Sequence, residues 1–182
     1  MPGPHFDPNG AVRFDLRAGA ASDSRGSRLV LIPSGALESL TSDALARIGR
    51  ELGRASGARV AQRLGGADGV RAASVEVFVA NVAGELAVAG VGAVHIERWG
   101  RAMIAVVTNP SVSDDAFAGA VLAGALSEAS GRDVAAASLG REGNVARYFV
   151  GSPATAARAQ ALAEQGGKYA DVVASLQQGG AS

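Results

Sequence analysis

His95 and Glu97 stand two residues apart in Ala93-Val94-His95-Ile96-Glu97-Arg98-Trp99, a run of strand-forming character. Side chains alternate across a strand, so Ala93, His95 and Glu97 share one face and Val94 and Ile96 take the other. An imidazole beside a carboxylate suits acid–base work. The same residues serve as the half-exposed face of an ordinary strand, and catalysis is the lesser of the two readings. Asp114 and Asp115 come next. Adjacent carboxylates can hold a divalent cation. Ser113-Asp114-Asp115 also reads as a helix start, where a hydroxyl and carboxylates meet the positive end of the helix, and that reading is preferred. Trp99, the only tryptophan, sits by a turn with Glu97, Arg98 and Arg101. It is expected either to anchor a protein partner or to cover the end of a sheet. His5 is expected to be idle.

Other chemistry is excluded or unsupported. The chain has no cysteine, which removes disulfides, thiolate catalysis and cysteine-ligated metals. Two histidines leave little for a histidine-based metal site. Gly84, Gly90 and Gly92 fall in one stretch, but no Lys-Ser/Thr follows, and no GxGxxG follows a strand. No serine has a nucleophile elbow around it. The expectation is therefore no catalytic residues, no cofactor and no metal. With 17 basic and 17 acidic residues the net charge is zero, which argues against a broad nucleic-acid surface. No apolar run long enough to span a membrane appears. The first residues do not read as a secretory signal, so a cytoplasmic location is the default expectation.

The elements that would position these residues are legible in outline. Residues 1–26, rich in Pro, Gly, Ala, Ser and Asp, read as a mobile arm with a short ordered piece near Val12–Leu16. Arg28–Ile32 is an extended apolar run stopped by Pro33. Leu37, Leu40, Leu45, Ile48 and Leu52 recur at mostly helical spacing, and Thr41 or Ser42 is placed to start a helix. Gly49, Gly53 and Gly57 fall every four residues on one helical face. Each costs about 1 kcal/mol relative to alanine in a helix interior. They imply close approach of another helix, or only the abundance of glycine. A further helix is expected over Val75–Leu86. A hairpin of Ala93–Trp99 and Arg101–Thr108 turns at Gly100. A helix opens at Ser113 and closes at Gly131, and a second hairpin joins Val134–Leu139 to Val145–Val150. A helix with Pro153 in its first turn runs to about Gln165, and Tyr169–Leu176 adds a short one. The expected fold is α+β: a four-stranded antiparallel sheet of two hairpins, with helices packed mainly on one face. The expected organisation is an N-terminal arm (1–26), one domain (27–166) and a short helix with a frayed tail (167–182).

One stretch carries a resemblance. In Asp115-Ala-Phe117-Ala-Gly119-Ala-Val-Leu122-Ala-Gly124-Ala-Leu126, two glycines stand five apart on a helix. Gly131-Arg-Asp-Val134 leads into a strand, and Ser138-Leu139-Gly140-Arg-Glu-Gly143-Asn-Val-Ala-Arg147-Tyr148-Phe149-Val150 is a hairpin with a central glycine and an aromatic second strand. With Leu45–Leu64, this resembles the 4-vinyl reductase domain family over roughly residues 28–152. That family shares its fold with small TRAPP vesicle-tethering subunits. The resemblance implies a domain that often dimerises, assembles with other proteins or binds small hydrophobic molecules. Many members carry two cysteines around the last hairpin. Leu139 and Arg147 flank Gly143 here, so no cysteine-dependent metal or redox role carries over. A non-covalent apolar ligand would sit between helices and sheet, where Phe78, Val82, Leu122 and Leu126 are the expected lining. The alternative is that these four fill a solid core. The leading expectation is a non-enzymatic regulatory or scaffold domain acting as a homodimer with a protein partner. The second is a sensor for a small hydrophobic ligand, and the third an enzyme using His95 and Glu97.

Overall fold

The computed structural model describes residues 6–100, 102–167 and 169–178. Three short strands come first: Val12–Asp15 (β1), Ala20–Asp23 (β2) and Arg28–Leu29 (β3). They pair antiparallel in the order β1-β2-β3. The stretch expected as a mobile arm thus carries most of a small sheet of its own. The sequence signal was weak because these strands are short and, apart from the buried Asp23, at most half-buried.

Four helices follow: Ser34–Leu37 (α1), Ser42–Arg63 (α2), Gly66–Ala72 (α3) and Val75–Val88 (α4). A second sheet and the remaining helices complete the chain as Ala93–Trp99 (β4), Ala102–Thr108 (β5), Asp115–Ser130 (α5), Ala135–Glu142 (β6), Val145–Gly151 (β7), Pro153–Glu164 (α6) and Tyr169–Gln178 (α7). The helix starts follow local chemistry. Thr41, Ser74, Asp114 and Ser152 each accept a backbone N–H of the first turn with a side-chain oxygen. Gly131, at φ +66°, ends α5 in the left-handed conformation that favours glycine.

The second sheet is antiparallel throughout, in the order β4-β5-β7-β6. Its central strands are apolar on both faces, and both faces are covered. Ala105, Val107, Ala146, Tyr148 and Val150 point into a core shared with α2, α4 and α5. Ile104, Val106, Leu139 and Phe149 point into a second core with Ala156 and Ala159 of α6 and Val172 and Val173 of α7. This corrects the expectation of helices mainly on one face. Alternation along β5 leaves two apolar faces, and each needs a cover.

The glycine stripe of α2 meets α5 at backbone distance. A Cβ built at Gly49 would lie 2.6 Å from the Phe117 carbonyl oxygen, at Gly53 2.3 Å from that of Val121, and at Gly57 2.4 Å from that of Ala125. Gly124 answers from α5, where a Cβ would lie 2.6 Å from the Arg50 carbonyl oxygen. The order of these contacts makes the two helices parallel. Their positive ends therefore lie together, an arrangement favoured by the nearby carboxylates of Asp43, Asp114 and Asp115. Asp114 also accepts a hydrogen bond from the Ser42 hydroxyl, tying the two starts together.

Candidate functional site

Where α4 and the C-terminal end of α5 meet the ends of β5 and β7, helices and sheet leave a cavity of about 370 Å³. Phe78 reaches it from α4 and Leu126 from α5. Met103 and Val150, register partners on β5 and β7, form its sheet side. Val134 completes the apolar wall. Gly131 stops α5 just before it, so the chain turns at the mouth and leaves Arg132 and Asp133 on the rim. Ser130 and Ser152 also face the space. The Ser130 hydroxyl is engaged locally, donating to the Leu126 carbonyl at 2.6 Å and accepting the Arg132 N–H at 3.3 Å. Ser152 caps α6. The volume falls toward the lower end of the roughly 300–1,000 Å³ common for small-molecule sites, and a mostly apolar wall with few polar groups is their usual make-up.

The four residues expected as a pocket lining divide. Phe78 and Leu126 stand on the cavity wall, whereas Val82 and Leu122 are buried in the core beside it. Met103, Val134, Val150 and the rim residues were not singled out from the sequence. Only the glycine that closes α5 marked the place where the rim would form.

His95, Glu97 and Trp99 lie on the opposite face of the sheet, beside α7. His95 Nε2 is 3.6 Å from Glu97 Oε1. Glu97 accepts the Trp99 indole N–H at 3.0 Å and the Tyr169 hydroxyl at 3.2 Å. The Trp99 hydrogen bond, and then that of Tyr169, hold the Glu97 carboxyl below the usual carboxylate range against the opposing effect of burial. Glu97 is thus engaged as an acceptor and is a poor general base. Trp99 packs edge-to-face on Tyr169, with ring centroids 5.3 Å apart, and covers that end of the sheet while staying partly exposed. His5 and Arg101 lie outside the described residues.

Asp114 and Asp115 are taken up by structure. Asp115 accepts from the Ser138 hydroxyl at 2.8 Å, from Arg141 at 2.7 Å and from the Tyr148 hydroxyl at 3.2 Å, pinning the start of α5 to β6 and β7. Among the described residues, no group of three or more histidine or acidic side chains is placed to hold a metal. Burial first, and then the Asp115 charge, push the Tyr148 phenol well above its ordinary range. The unfolded chain releases this proton near pH 10 while the folded chain keeps it. The contribution is complete below about pH 10 and is lost as pH rises through the folded value. Alkaline titration of unfolding should therefore show stability falling from about pH 10 upward. Tyr148→Phe should make the fall shallower without abolishing it, because Tyr169 is shifted the same way by burial and by Glu97. An identical slope in wild type and variant would refute this.

A buried charged cluster escaped the sequence reading. Arg59 of α2 donates to Glu85 of α4 at 2.6 Å, to Asp23 of β2 at 3.1 Å and to the Ser56 hydroxyl at 3.1 Å. Arg63 adds bonds to Glu85 and, at 3.3 Å, to Asn81. Asp23, Ser56, Arg59, Asn81 and Glu85 are all buried.

No family model matches the chain, and no curated protein matches it significantly. Among solved structures it is similar to the phenol-responsive sensory domain of the transcription activator PoxR, crystallised with phenol. The sequences are 16% identical, the match covers 77% of this chain and 84% of that one, and the TM-score is 0.56. At that identity the likeness shows a shared α+β fold and nothing finer. It also overturns the resemblance to the 4-vinyl reductase domain family and to TRAPP subunits. The residues behind that resemblance, an Ala/Gly-rich helix and a glycine-centred hairpin, answer to helix packing and turn geometry here. Among the described residues, no helix is long and apolar enough to cross a membrane.

Proposed function

We propose that this chain is a non-catalytic ligand-sensing domain. Its ligand is a small, largely apolar molecule of about one aromatic ring, held between α4, α5 and the sheet. The cavity walled by Phe78, Met103, Leu126, Val134 and Val150 carries this reading. A fold shared with a sensory domain crystallised with phenol supports it. An apolar wall would exclude water from the ring, and the rim groups Arg132, Asp133 and Ser152 would meet its polar substituent. The enzyme reading loses ground because Glu97 is held in hydrogen bonds to Trp99 and Tyr169. The dimeric scaffold has in its favour exposed apolar side chains such as those of Val30, Leu31 and Ile32.

Thermal unfolding in the presence of phenol and related single-ring compounds tests the proposal. A ligand at a hundred times its Kd should add about 2.7 kcal/mol of stability. Leu126→Trp, which fills the cavity, should abolish the shift. No shift with any ring compound, or an equal shift in the filled variant, would rule out this site.

A further inference from the structure

Helix α4 has two jobs, separated along its length. Phe78, near its start, is a wall of the cavity. Asn81, Gly84 and Glu85, one to two turns on, hold other parts of the chain. Glu85 is bonded to Arg59, and Arg59 in turn to Asp23 of the N-terminal sheet. Gly84 leaves room for the ring of Phe6, since a Cβ there would lie 2.4 Å from the ring carbons. The Arg63 guanidinium sits 4.9 Å from the centre of the same ring. Both anchors of residues 6–29 therefore run through α4 or through its ionic partners on α2.

Little else fastens this segment. Its strands are partly to fully exposed apart from Asp23, and Ala11 and Asp23 are its buried residues. Its seam with α2 is not closed, because a cleft of about 320 Å³ lies between Asp7, Gly10 and Ser24 on one side and Arg59, Gln62 and Arg63 on the other. Asp23 does two things at once. One carboxylate oxygen accepts the backbone N–H groups of Arg25 at 2.9 Å and Ser27 at 2.8 Å, shaping the β2–β3 turn, and the other accepts from Arg59. Loss of this one docking bond would free the turn from the helices.

We infer that residues 6–29 form a strap whose docking is coupled to the cavity through α4. Whatever displaces Phe78 moves Glu85 and Gly84 on the same rigid helix, withdrawing the partner that orients Arg59 toward Asp23 and the notch that holds Phe6. Cavity occupancy and strap docking are then linked, and each changes the other's equilibrium. Only the ligand arm of the test below rests on the sensing function proposed above.

Amide hydrogen exchange on the full chain reads the strap directly. Asp23→Asn should raise exchange over residues 12–29 at least tenfold and leave β5 and β7 unchanged. In ligand-free protein, Leu126→Trp should raise exchange over the same residues at least threefold. Met103→Trp, at a partly exposed position on the cavity wall, provides a second filled cavity should the first variant fold poorly. Strap exchange at the wild-type rate or slower in a folded, cavity-filled variant overturns the coupling. Phenol is the ligand arm. Protection of residues 126–134 with faster exchange in the strap supports the coupling, and protection there with an unchanged strap overturns it. If phenol protects nothing, the sensing proposal loses its first probe, while the filled variants still decide the coupling.

Discussion

Glu85→Ala should destabilise the protein by about 3–5 kcal/mol, the cost of removing one partner from a buried ion pair. Glu85 is almost wholly inaccessible at 1% exposure and is the shared acceptor of Arg59 and Arg63. Without it, among the described residues, Arg59 keeps Asp23 and Ser56, and Arg63 keeps Asn81 and the face of the Phe6 ring. Arginine side chains stay charged in proteins. An uncompensated charge would be left beneath α4. A double variant, Arg59→Met with Glu85→Leu, should cost less than the sum of its two single changes, since the Arg59–Glu85 pair is lost only once, although Arg63 and Asp23 each still lose a partner. Urea unfolding of the four proteins gives the cycle. A loss below about 1 kcal/mol for Glu85→Ala would mean that water reaches the arginines as soon as the carboxylate is gone.

Gly53→Ala comes next, and its sign is the informative part. Helix propensity alone favours alanine over glycine by about 1 kcal/mol. Here the new Cβ would sit 2.3 Å from the Val121 carbonyl oxygen and 2.9 Å from the Ala125 nitrogen. Both are backbone atoms that cannot swing aside, so α2 and α5 must part. Overpacking of this kind costs about 1–3 kcal/mol, and we expect the upper part of that range after the propensity gain is offset. For a chain of this size, each kcal/mol lowers Tm by about 2–4 °C. Gly35→Ala is the matched control. Its Cβ would meet nothing within 4 Å, and it should be neutral or stabilising. A Gly53→Ala protein with an unchanged or higher Tm would show that the helices separate without cost.

The parts of the fold that the sequence revealed are those governed by local chemistry. Thr41, Ser74, Asp114 and Ser152 cap helices through bonds to N–H groups two or three residues away, so the signal lies within a few positions. Gly143, at φ +58°, marks a hairpin turn for the same reason. The second helical layer was hidden because α6 meets the sheet through Ala156 and Ala159, and alanine marks a buried face only weakly in an alanine-rich chain. The N-terminal sheet was hidden because Ala-Ala-Ser-Asp does not look like a strand until Asp23 finds Arg59, 36 residues away. Arg59 and Glu85 read in isolation as ordinary solvated residues. Their burial depends on the packing of α2 against α4, which no short window contains. The candidate site was half visible. Phe78 and Leu126 follow from helical periodicity, but that they face a cavity while Val82 and Leu122 face solid core depends on where α4 and α5 diverge over the sheet.

The parallel contact of α2 and α5 has one more consequence. Glycines on one helix and carbonyl oxygens on the other both repeat every four residues, close to one turn. A slip of α2 by about 5.4 Å would bring two of its three glycines under new carbonyls that fit them as well as the old. The stripe therefore fixes how near the helices lie, but hardly where one stops along the other. That choice falls to non-repeating features: the Ser42 hydroxyl on Asp114 at one end, and Gly124 beneath the Arg50 carbonyl near the middle. The pair is built like a rack with identical teeth and a stop at its end.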